Sequence, residues 1–268
     1  MHNIIIGIYR TIFSRKCFEK FNKLIFFCGL SGLGILNYEN DLVSGERNFL
    51  EKFLKNKINP TILDVGANQG NYAKTIFTIN SGSRVIAFEP HPATYKILQA
   101  NLSDYQTDSL ELVNAAVGHE NGHIELFDYA DRDGSTHASI FRNVIEVIHQ
   151  KASTVHRVPM INLDHFCGVK DISRIDLLKI DTEGNELMVL RGFENYLREG
   201  LIEVIHFEFN EMNLASRVFF RDFWDKLDGY SLFRLLPNGM LPIRKDSPIT
   251  CEIFAYQNIV AMRNSEKS

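Results

Sequence analysis

The sequence predicts an α/β protein with a doubly wound, mostly parallel sheet of seven strands. Short apolar runs that suit buried strands alternate with segments of helical period, and the connections between them are short. The 268 residues are enough for one large domain of this class with a small N-terminal addition. Hydrophobic residues make up 45% of the chain and charged residues 23%, so a sizeable core can form.

Each element is predicted from its own residue pattern. The strand segments are short runs rich in Val, Ile, Leu and Phe, as in sheets that are buried on both faces. The helical segments repeat apolar residues every three to four positions, as Tyr72, Ile76 and Ile79 do. In chain order the predicted elements are helix 47–57, strand 62–65, helix 72–79, strand 84–88, helix 93–102, strand 110–114, strand 175–180, helix 184–197, strand 201–209, helix 215–227 and two late strands within 230–236 and 251–262.

Two further strand segments, 122–129 and 156–161, lie between the third and fourth parallel strands. Their composition favours an added β-hairpin, which flanks the polar loop 130–139. This loop either forms a wall of a substrate pocket, with His137 as a remote candidate for a base, or is plain surface.

Residues 1–40 are predicted to be an N-terminal extension packed on a core domain of residues 41–268. The apolar segment Leu24 to Leu36 has 13 residues, whereas a helix needs about 20 to span a bilayer. We therefore expect a buried helix or strand-loop segment. Basic residues precede it, which leaves open a helix that contacts a membrane surface. They are Arg15, Lys16, Lys20 and Lys23.

Charge and cysteine usage exclude some classes of function. The formal net charge is −4 and no run of Lys or Arg exceeds two residues, so we expect no nucleic-acid partner. The four cysteines are scattered without C-x-x-C spacing, which predicts four buried free thiols in a reducing compartment. We therefore expect a cytoplasmic protein, and the sequence leaves its oligomeric state open.

The segment TILDVGANQGNYAKTIF, Thr61 to Phe77, holds a glycine turn between the first strand and the helix after it. Ligands of such sheets bind at these turns, outside the carboxyl ends of the strands. A dinucleotide site prefers G-x-G-x-x-G, but this turn reads Asp-x-Gly-x-x-x-Gly. The carboxylate of Asp64 disfavours a pyrophosphate and suits a cationic ligand, such as the ammonium and sulfonium groups of S-adenosylmethionine.

The next two strand ends carry further candidates for cofactor binding. Glu89 ends the second strand, 19 residues after Gly70, where a carboxylate can accept hydrogen bonds from both ribose hydroxyls. Asn114 ends the third strand, where its side chain and the next backbone groups can read the edge of an adenine. Together with Asp64, these residues predict an adenosine cofactor.

The chain resembles the FkbM-like methyltransferases, a branch of the class I S-adenosylmethionine-dependent enzymes, through DVGANQG, FEPHP, LLKIDTEGNELMVLRG and SGERNFL. The resemblance covers roughly residues 44–210 and implies a Rossmann-like sheet, S-adenosylmethionine as cofactor and O-methylation, often of sugar or polyketide hydroxyls. It also places Glu46 just ahead of the first strand, within reach of the cofactor. The predicted cofactor-binding residues are Glu46, Asp64, Gly66, Ala67, Asn68, Gly70, Glu89, Pro90, Asn114, Ala115 and Asp181.

Catalytic candidates come from the ends of the fourth and fifth parallel strands. Methyl transfer needs an aligned hydroxyl and a group that takes its proton. Lys179 and Asp181 share a face of the fourth strand, Glu183 lies in the turn after it, and Glu208 lies on the fifth strand. We predict Asp181 or Glu208 as base or acceptor-orienting group, Lys179 as the group that holds one of them, and Glu183 as a further catalytic candidate.

Simpler interpretations stay open for these side chains. Lys179 can form a structural ion pair, and Glu183 can stabilise the start of the following helix. Asp181, Glu208 and Asn210 are too few oxygen ligands to predict a metal site. Two histidines are assigned other positions: His206 to the core and His91 to a surface turn or to packing on an adenine.

The predicted function is O-methyl transfer to a small hydroxylated acceptor, a sugar or glycan precursor. One alternative is a noncatalytic module that binds an adenosine cofactor within a glycan-synthesis complex. The other is a nicotinamide-dependent oxidoreductase, against which Asp64 and the missing G-x-G-x-x-G count.

Overall fold

A computed structural model describes residues 2–105, 108–132, 134–135, 137–245 and 248–264. Its central sheet has eight strands in the order β10-β9-β11-β8-β7-β1-β2-β3. The five strands from β8 to β3 are parallel to one another, and β11 is antiparallel to both β8 and β9. The strands of this sheet are β1 (Thr61–Val65), β2 (Arg84–Phe88), β3 (Leu110–Val113), β7 (Ile175–Ile180), β8 (Ile202–Phe209), β9 (Tyr230–Leu236), β10 (Gly239–Pro242) and β11 (Gln257–Arg263).

Helices cover both faces of the sheet. Successive strand residues point to opposite faces, and apolar residues on each face need a covering layer. Leu63 and Val65 of β1 pack in one apolar cluster, whereas Ile62 packs in a second cluster on the other face. The helices are α1 (His2–Phe13), α2 (Glu19–Gly32), α3 (Asp41–Ser44), α4 (Glu46–Leu54), α5 (Asn71–Ile79), α6 (Pro92–Asn101), α7 (Leu163–Val169), α8 (Glu186–Arg191), α9 (Glu194–Arg198), α10 (Met212–Ser216), α11 (Phe220–Lys226) and α12 (Pro248–Cys251).

A second, three-stranded sheet lies between β3 and β7 in the chain. Its strands are β4 (Ala116–Gly118), β5 (Gly122–Tyr129) and β6 (Ser153–Asn162), in the order β4-β6-β5. The antiparallel pairing of β5 with β6 confirms the added pair of strands that the sequence predicts. Residues 130–152 connect the two strands, and their described part includes one turn of π-helix at Val144–Ile148.

The doubly wound fold is therefore confirmed, with three differences in its last third. The single helix predicted over 184–197 is wrong, because the chain divides into α8 and α9 at Gly192 and Phe193. The central sheet has eight strands rather than seven, because the short strand β10 turns back onto β9. The single helix predicted over 215–227 is wrong, since the chain breaks into α10 and α11. Arg217 adopts a left-handed backbone with φ 57° at the end of α10, and a helix cannot continue through that conformation.

The N-terminal residues correct two further expectations. Most of the segment Leu24–Leu36 is not buried: within α2 only Leu30 is buried, and Ile35 after it contacts the sheet. Of the four cysteines, Cys17 and Cys28 are exposed, and only Cys167 and Cys251 are buried. None of the helices in the described part of the chain is both long enough and apolar enough to cross a bilayer. The boundary at residue 40 stays a prediction.

Candidate active site

Two cavities lie beside the carboxyl ends of the parallel strands. The larger cavity has a volume of about 550 Å³ and the smaller cavity about 430 Å³. Gly66, Asn68, Asp181 and Glu208 line both, so the cavities meet at the ends of β1, β7 and β8. This is the place where sheets of this class bind their ligands.

Gly66 allows the turn after β1 to lie directly against the end of β7. Its backbone has φ 82°, and a Cβ at this position would lie 1.7 Å from the carbonyl oxygen of Asp181. The backbone N–H groups of Gly66 and Ala67 donate to the carbonyl oxygen of Phe88 at 3.0 and 2.9 Å. The turn is therefore fixed to both neighbouring strand ends, and a side chain cannot be fitted at residue 66.

Lys179 lies at the centre of a group of carboxylates at the junction of the two cavities. Its Nζ lies 3.7 Å from Glu46, 3.8 Å from Asp181 and 3.9 Å from Glu208, and the side chain is 4% exposed. These distances exceed those of hydrogen bonds, and Nζ has no hydrogen-bond partner among the described residues. The lysine is thus held by charge, and this geometry is consistent with a structural ion pair and with a group that holds a catalytic carboxylate.

The carboxyl groups around Lys179 outnumber the cations available to balance them. Burial raises the pKa of Asp64 to about 7, and it also raises the pKa of Glu46. The pKa of Glu208 is raised well above its ordinary value by burial and by the neighbouring Asp181. Burial alone would lower the pKa of Lys179, but the surrounding carboxylates outweigh burial and raise it. The site therefore favours a cationic ligand, which would stabilise the ionised carboxylates.

His206 is a satisfied core histidine, as predicted. It is fully buried, with Nδ1 3.0 Å from the hydroxyl oxygen of Tyr72 and Nε2 2.9 Å from Oδ1 of Asn258. Burial and the nearby Lys179 lower its pKa well below the ordinary value, so the ring is neutral. A neutral ring that donates from Nε2 to the amide oxygen must accept at Nδ1 from the tyrosine.

Glu89 fixes the turn after β1 to the turn after β2. Its Oε2 accepts from the N–H of Asn68 at 2.9 Å and its Oε1 accepts from the N–H of His91 at 2.8 Å. Asn114 donates from Nδ2 to the carbonyl oxygens of Glu89 and Pro90, at 2.8 and 3.1 Å. A carboxylate has about four lone-pair positions, so Glu89 keeps acceptor capacity for ligand hydroxyls in the larger cavity.

The turn after β7 is shaped by Glu186, which sequence reasoning missed. The buried Oε1 of Glu186 accepts from the N–H groups of Thr182 and Gly184, at 3.0 and 3.1 Å, and from the hydroxyl of Thr182. This arrangement holds Glu183 in a left-handed backbone conformation, with φ 53°. Because Glu186 belongs to the KIDTEGNE segment, the sequence does carry a signal for it.

Glu183 and His137 form a pair in the wall of the larger cavity. His137 Nδ1 lies 3.1 Å from Oε1 of Glu183, and Oε2 is buried without a hydrogen-bond partner among the described residues. The hydrogen bond from the His137 ring to Glu183 raises the pKa of His137, and burial raises the pKa of Glu183. The polar loop predicted as a possible pocket wall thus brings its histidine to the site.

Asp128 positions the loop 130–139 that carries His137, a role that no sequence pattern indicated. Fully buried on β5, it accepts from the N–H groups of Gly134 and Ser135, at 2.8 and 2.9 Å, and from the hydroxyl of Ser135. Its Oδ2 also lies 3.4 Å from Nε2 of His91. The expectation of a surface turn or of adenine packing for His91 is wrong, because this side chain is buried and accepts at the start of α6 from the N–H of Ala93.

The remaining predicted residues line one of the two cavities or neither of them. Gly70 and Asn114 line neither of them. A Cβ on Gly70 would meet Leu98 and Leu102, so this glycine serves the packing of α5 against α6. The predicted residues that line only the larger cavity are Glu89, Pro90, Ala115 and Glu183, and those that line only the smaller cavity are Glu46, Asp64, Ala67 and Lys179.

Comparison with known families identifies the family of this chain. Residues 64–232 match the methyltransferase FkbM domain. The chain belongs to the FkbM methyltransferase family. It is therefore an S-adenosylmethionine-dependent methyltransferase, and the oxidoreductase alternative is not supported.

Individual proteins resemble this FkbM methyltransferase at low identity. Methyltransferase 1 of Beauveria bassiana is 28% identical over 50% of this chain, and the match spans 58% of the relative's length. The 2-O-methyltransferase NoeI of Sinorhizobium fredii is 24% identical over 70% of this chain and 79% of the relative. The crystal structure of precorrin-6y C5,15-methyltransferase from Geobacter metallireducens is 12% identical, covers 81% of this chain and 87% of its own, and superposes with a TM-score of 0.43.

The residues of this FkbM methyltransferase fit its cofactor. Asp64 is 1% exposed and its Oδ2 has no partner among the described residues, as expected of a carboxylate that faces a ligand cation. Glu46 and Asp181 add negative charge at the smaller cavity, and Glu89, which lines the larger cavity, would offer acceptors to ribose hydroxyls of the bound cofactor. S-adenosylmethionine supplies an electrophilic methyl group when bound. Within the described residues, no three His, Cys, Asp or Glu side chains are grouped for a metal ion.

Glu89→Ala is expected to weaken S-adenosylmethionine binding by about 1–3 kcal/mol, the scale of lost charge-assisted hydrogen bonds. The measurement is isothermal calorimetry, with thermal unfolding to show that the variant is folded. Glu111→Ala is the matched control, since Glu111 lies on the adjacent strand β3 and pairs with Lys170 at 2.7 Å outside both cavities. An unchanged affinity in folded Glu89→Ala would refute the assignment.

Cofactor affinity is expected to fall as the pH drops from about 8 to about 6. The pKa values of Asp64 and Glu89 are about 7 in the ligand-free protein, mainly through burial, so these groups bind protons below that pH. A cationic ligand prefers the ionised carboxylates, and each coupled proton lowers affinity by up to about tenfold per pH unit. Calorimetry in buffers of different ionisation enthalpy measures the released protons. Asp64→Asn should bind more weakly at high pH and show a flatter dependence; a wild-type affinity that does not vary with pH contradicts the linkage.

Proposed function

We propose that this protein transfers a methyl group to a hydroxyl of a sugar or glycan precursor. The observation that carries the proposal is the lining of the larger cavity beyond its cofactor residues. Glu183, Glu208, Asn210 and Glu211 lie there together with His137. Carboxylate and amide groups accept and orient several neighbouring hydroxyls at once, which is the pattern a polyhydroxylated acceptor presents.

Asp181 and Glu208 are proposed to orient the acceptor hydroxyl and to take its proton. Both line the junction of the two cavities, where the cofactor side meets the acceptor side. Burial and the neighbouring Asp181 raise the pKa of Glu208 well above its ordinary value, so its carboxylate is a stronger base than an exposed one. The Nζ of Lys179 lies 3.8 Å from a carboxylate oxygen of Asp181 and 3.9 Å from one of Glu208, and its charge holds both groups in place.

The pair formed by Glu183 and His137 is a second candidate for the base. Glu183 lies 3.1 Å from the ring nitrogen Nδ1, which fixes the orientation of the imidazole. The hydrogen bond to Glu183 also raises the pKa of His137 above its ordinary value, which makes the imidazole a stronger base. The two candidates predict different dependences of kcat on pH.

The relatives support oxygen as the accepting atom. NoeI is named a 2-O-methyltransferase, and the match spans 79% of its length. The nucleic-acid alternative lacks support, because the chain carries a formal charge of −4. Four cysteines without a disulfide among the described residues suit a reducing compartment, so the proposal places the reaction in the cytoplasm.

Transfer of a labelled methyl group from S-adenosylmethionine tests the proposal. The protein is incubated with nucleotide sugars, free oligosaccharides, lipid-linked saccharides and, as controls, RNA and a polyketide bearing free hydroxyls. We expect label in one saccharide class, with a mass gain of one CH₂ group and an ether that resists mild base. Label in RNA or polyketide alone would overturn the sugar assignment. Tight cofactor binding without transfer to any acceptor would favour the noncatalytic module.

A further inference from the structure

The helix pair formed by α1 and α2, residues 2–33, presents apolar side chains that the rest of the protein does not cover. Eleven large apolar residues of the pair are exposed, which is half of all such residues that the structure describes. In α1, the side chains of Ile4, Ile5 and Ile8 are 66%, 60% and 57% exposed. In α2, Leu24 and Phe26 are 61% and 59% exposed. An uncovered apolar surface of this extent marks an interaction site.

The pair is built as a defined unit. Phe13 packs against Phe18 and Phe21, with ring centroids 5.0 and 5.3 Å apart. Asn22 donates from Nδ2 to the carbonyl oxygen of Phe13 at 3.0 Å, and the hydroxyl of Tyr9 donates to Asn22 at 2.5 Å. These contacts stabilise the turn between α1 and α2, whereas the apolar side chains farther from the turn stay exposed.

The positive charge of the helix pair favours an anionic partner. Residues 1–36 contain five Lys or Arg and one acidic residue, a formal charge of +4, so the remainder of the chain carries −8. The basic residues lie between Arg10 and Lys23, around the turn, and they are exposed. Exposed basic residues beside large apolar ones match the interface of an anionic bilayer, with headgroups beside acyl chains. Like charge on a second copy of the pair counts against self-association.

The lengths of the helices define the mode of contact. α1 has 12 residues and α2 has 14, which gives about 18 and 21 Å against a hydrocarbon core of about 30 Å. Neither helix can cross, but both can lie in the interface plane. We propose that the helix pair α1–α2 docks the protein on an anionic lipid surface.

Co-sedimentation of the full-length protein with vesicles tests this docking. Vesicles of phosphatidylcholine are compared with vesicles of phosphatidylcholine and phosphatidylglycerol in equal amounts. The wild type is expected to partition at least about tenfold more strongly onto the anionic vesicles, and less strongly at high salt. Protein that stays in the supernatant with anionic vesicles overturns the proposal.

Two double variants separate the apolar and basic contributions. Ile5→Glu with Phe26→Glu and Lys16→Glu with Lys20→Glu change exposed side chains, and each is expected to reduce partition by at least about tenfold. Ile58→Glu is the matched control, because Ile58 is 90% exposed on a loop outside the pair, and its partition should not change. Unchanged binding of S-adenosylhomocysteine shows that every variant is folded.

Light scattering of the lipid-free protein tests whether the helix pair binds a second copy of the protein instead of a lipid surface. If the wild type forms a dimer that Ile5→Glu with Phe26→Glu converts to a monomer, the pair binds a second copy and the lipid proposal is overturned. A wild type with the same oligomeric state as this variant, together with the partition described above, supports the lipid surface. These readouts need no acceptor, so they are independent of the proposed function.

Discussion

Glu208→Gln and Asp181→Asn are each expected to lower kcat at least about tenfold, with the affinity for S-adenosylmethionine kept within about threefold. Both substitutions preserve shape and remove a charge, and general-base assistance is worth about 10²–10⁴-fold. Both residues line the two cavities where these meet, and the proposed function puts this junction between cofactor and acceptor. The measurement is steady-state methyl transfer to the true acceptor, together with calorimetry for the cofactor.

Glu203→Gln is the matched control for this prediction. Glu203 lies at the opposite end of the same strand β8, where it pairs with Lys57 at 2.6 Å and Arg174 at 2.9 Å. It should leave kcat unchanged and cost at most about 1 kcal/mol of stability. If Glu208→Gln and Asp181→Asn instead lose stability and keep their activity, these carboxylates form a structural ion pair with Lys179.

The pH profile separates the two candidates for the base. If His137 accepts the proton, His137→Gln removes the acidic limb of the kcat profile, and Glu183→Gln shifts this limb to lower pH by removing the carboxylate that raises the histidine pKa. If Glu208 accepts it, both of these variants keep the limb. Near wild-type rates in all four variants would place the base elsewhere.

Gly66→Ala is expected to lower the free energy of unfolding by about 2–5 kcal/mol and cofactor affinity by more than about tenfold. The added Cβ would lie 1.7 Å from the carbonyl oxygen of Asp181, so the turn after β1 must move away from β7. That movement displaces Asn68, whose N–H donates at 2.9 Å to Glu89, the residue predicted to bind the ribose. Denaturant unfolding and calorimetry measure the two effects.

Gly229→Ala separates backbone strain from collision. Gly229 has a similar backbone, with φ 88°, but no other atom lies within 4 Å of the position of its Cβ among the described residues. It should cost only the strain of about 1–2 kcal/mol and leave the affinity unchanged. Equal effects at residues 66 and 229 would show that the close approach to Asp181 has no role in cofactor binding.

The sheet and the strand-end residues are predictable from the sequence because both follow from local patterns. Buried strands read as apolar runs, and the carboxyl ends of parallel strands meet at one edge, so the residue pattern alone groups Asp64, Glu89 and Asp181. The expectation that Glu46 reaches the cofactor depends on the family resemblance, since Glu46 precedes the sheet in the chain. Its position 3.7 Å from Lys179 was not predicted.

Other features could not be read from local patterns. Asp128 positions the loop of His137 through hydrogen bonds to Gly134 and Ser135, yet in the sequence it is only one polar residue in a strand. The segment Leu24–Leu36 is as apolar as a buried helix, and composition does not state whether other residues cover it. Arg217 breaks the helix predicted over 215–227 because its backbone is left-handed, which single-residue propensity does not predict.

The attachment of the helix pair to the domain sets an order of events during synthesis. Ile35 pairs with Gln257 of β11, and the N–H of Leu36 donates to the carbonyl oxygen of Tyr256. The first two partners are 222 positions apart, so this connection closes only after residue 257 has left the ribosome. At about 5–20 residues per second, the helix pair precedes its partner strand by about 10–45 s. During that interval the pair is tethered to the nascent chain alone, free to find its own surface before the catalytic domain exists.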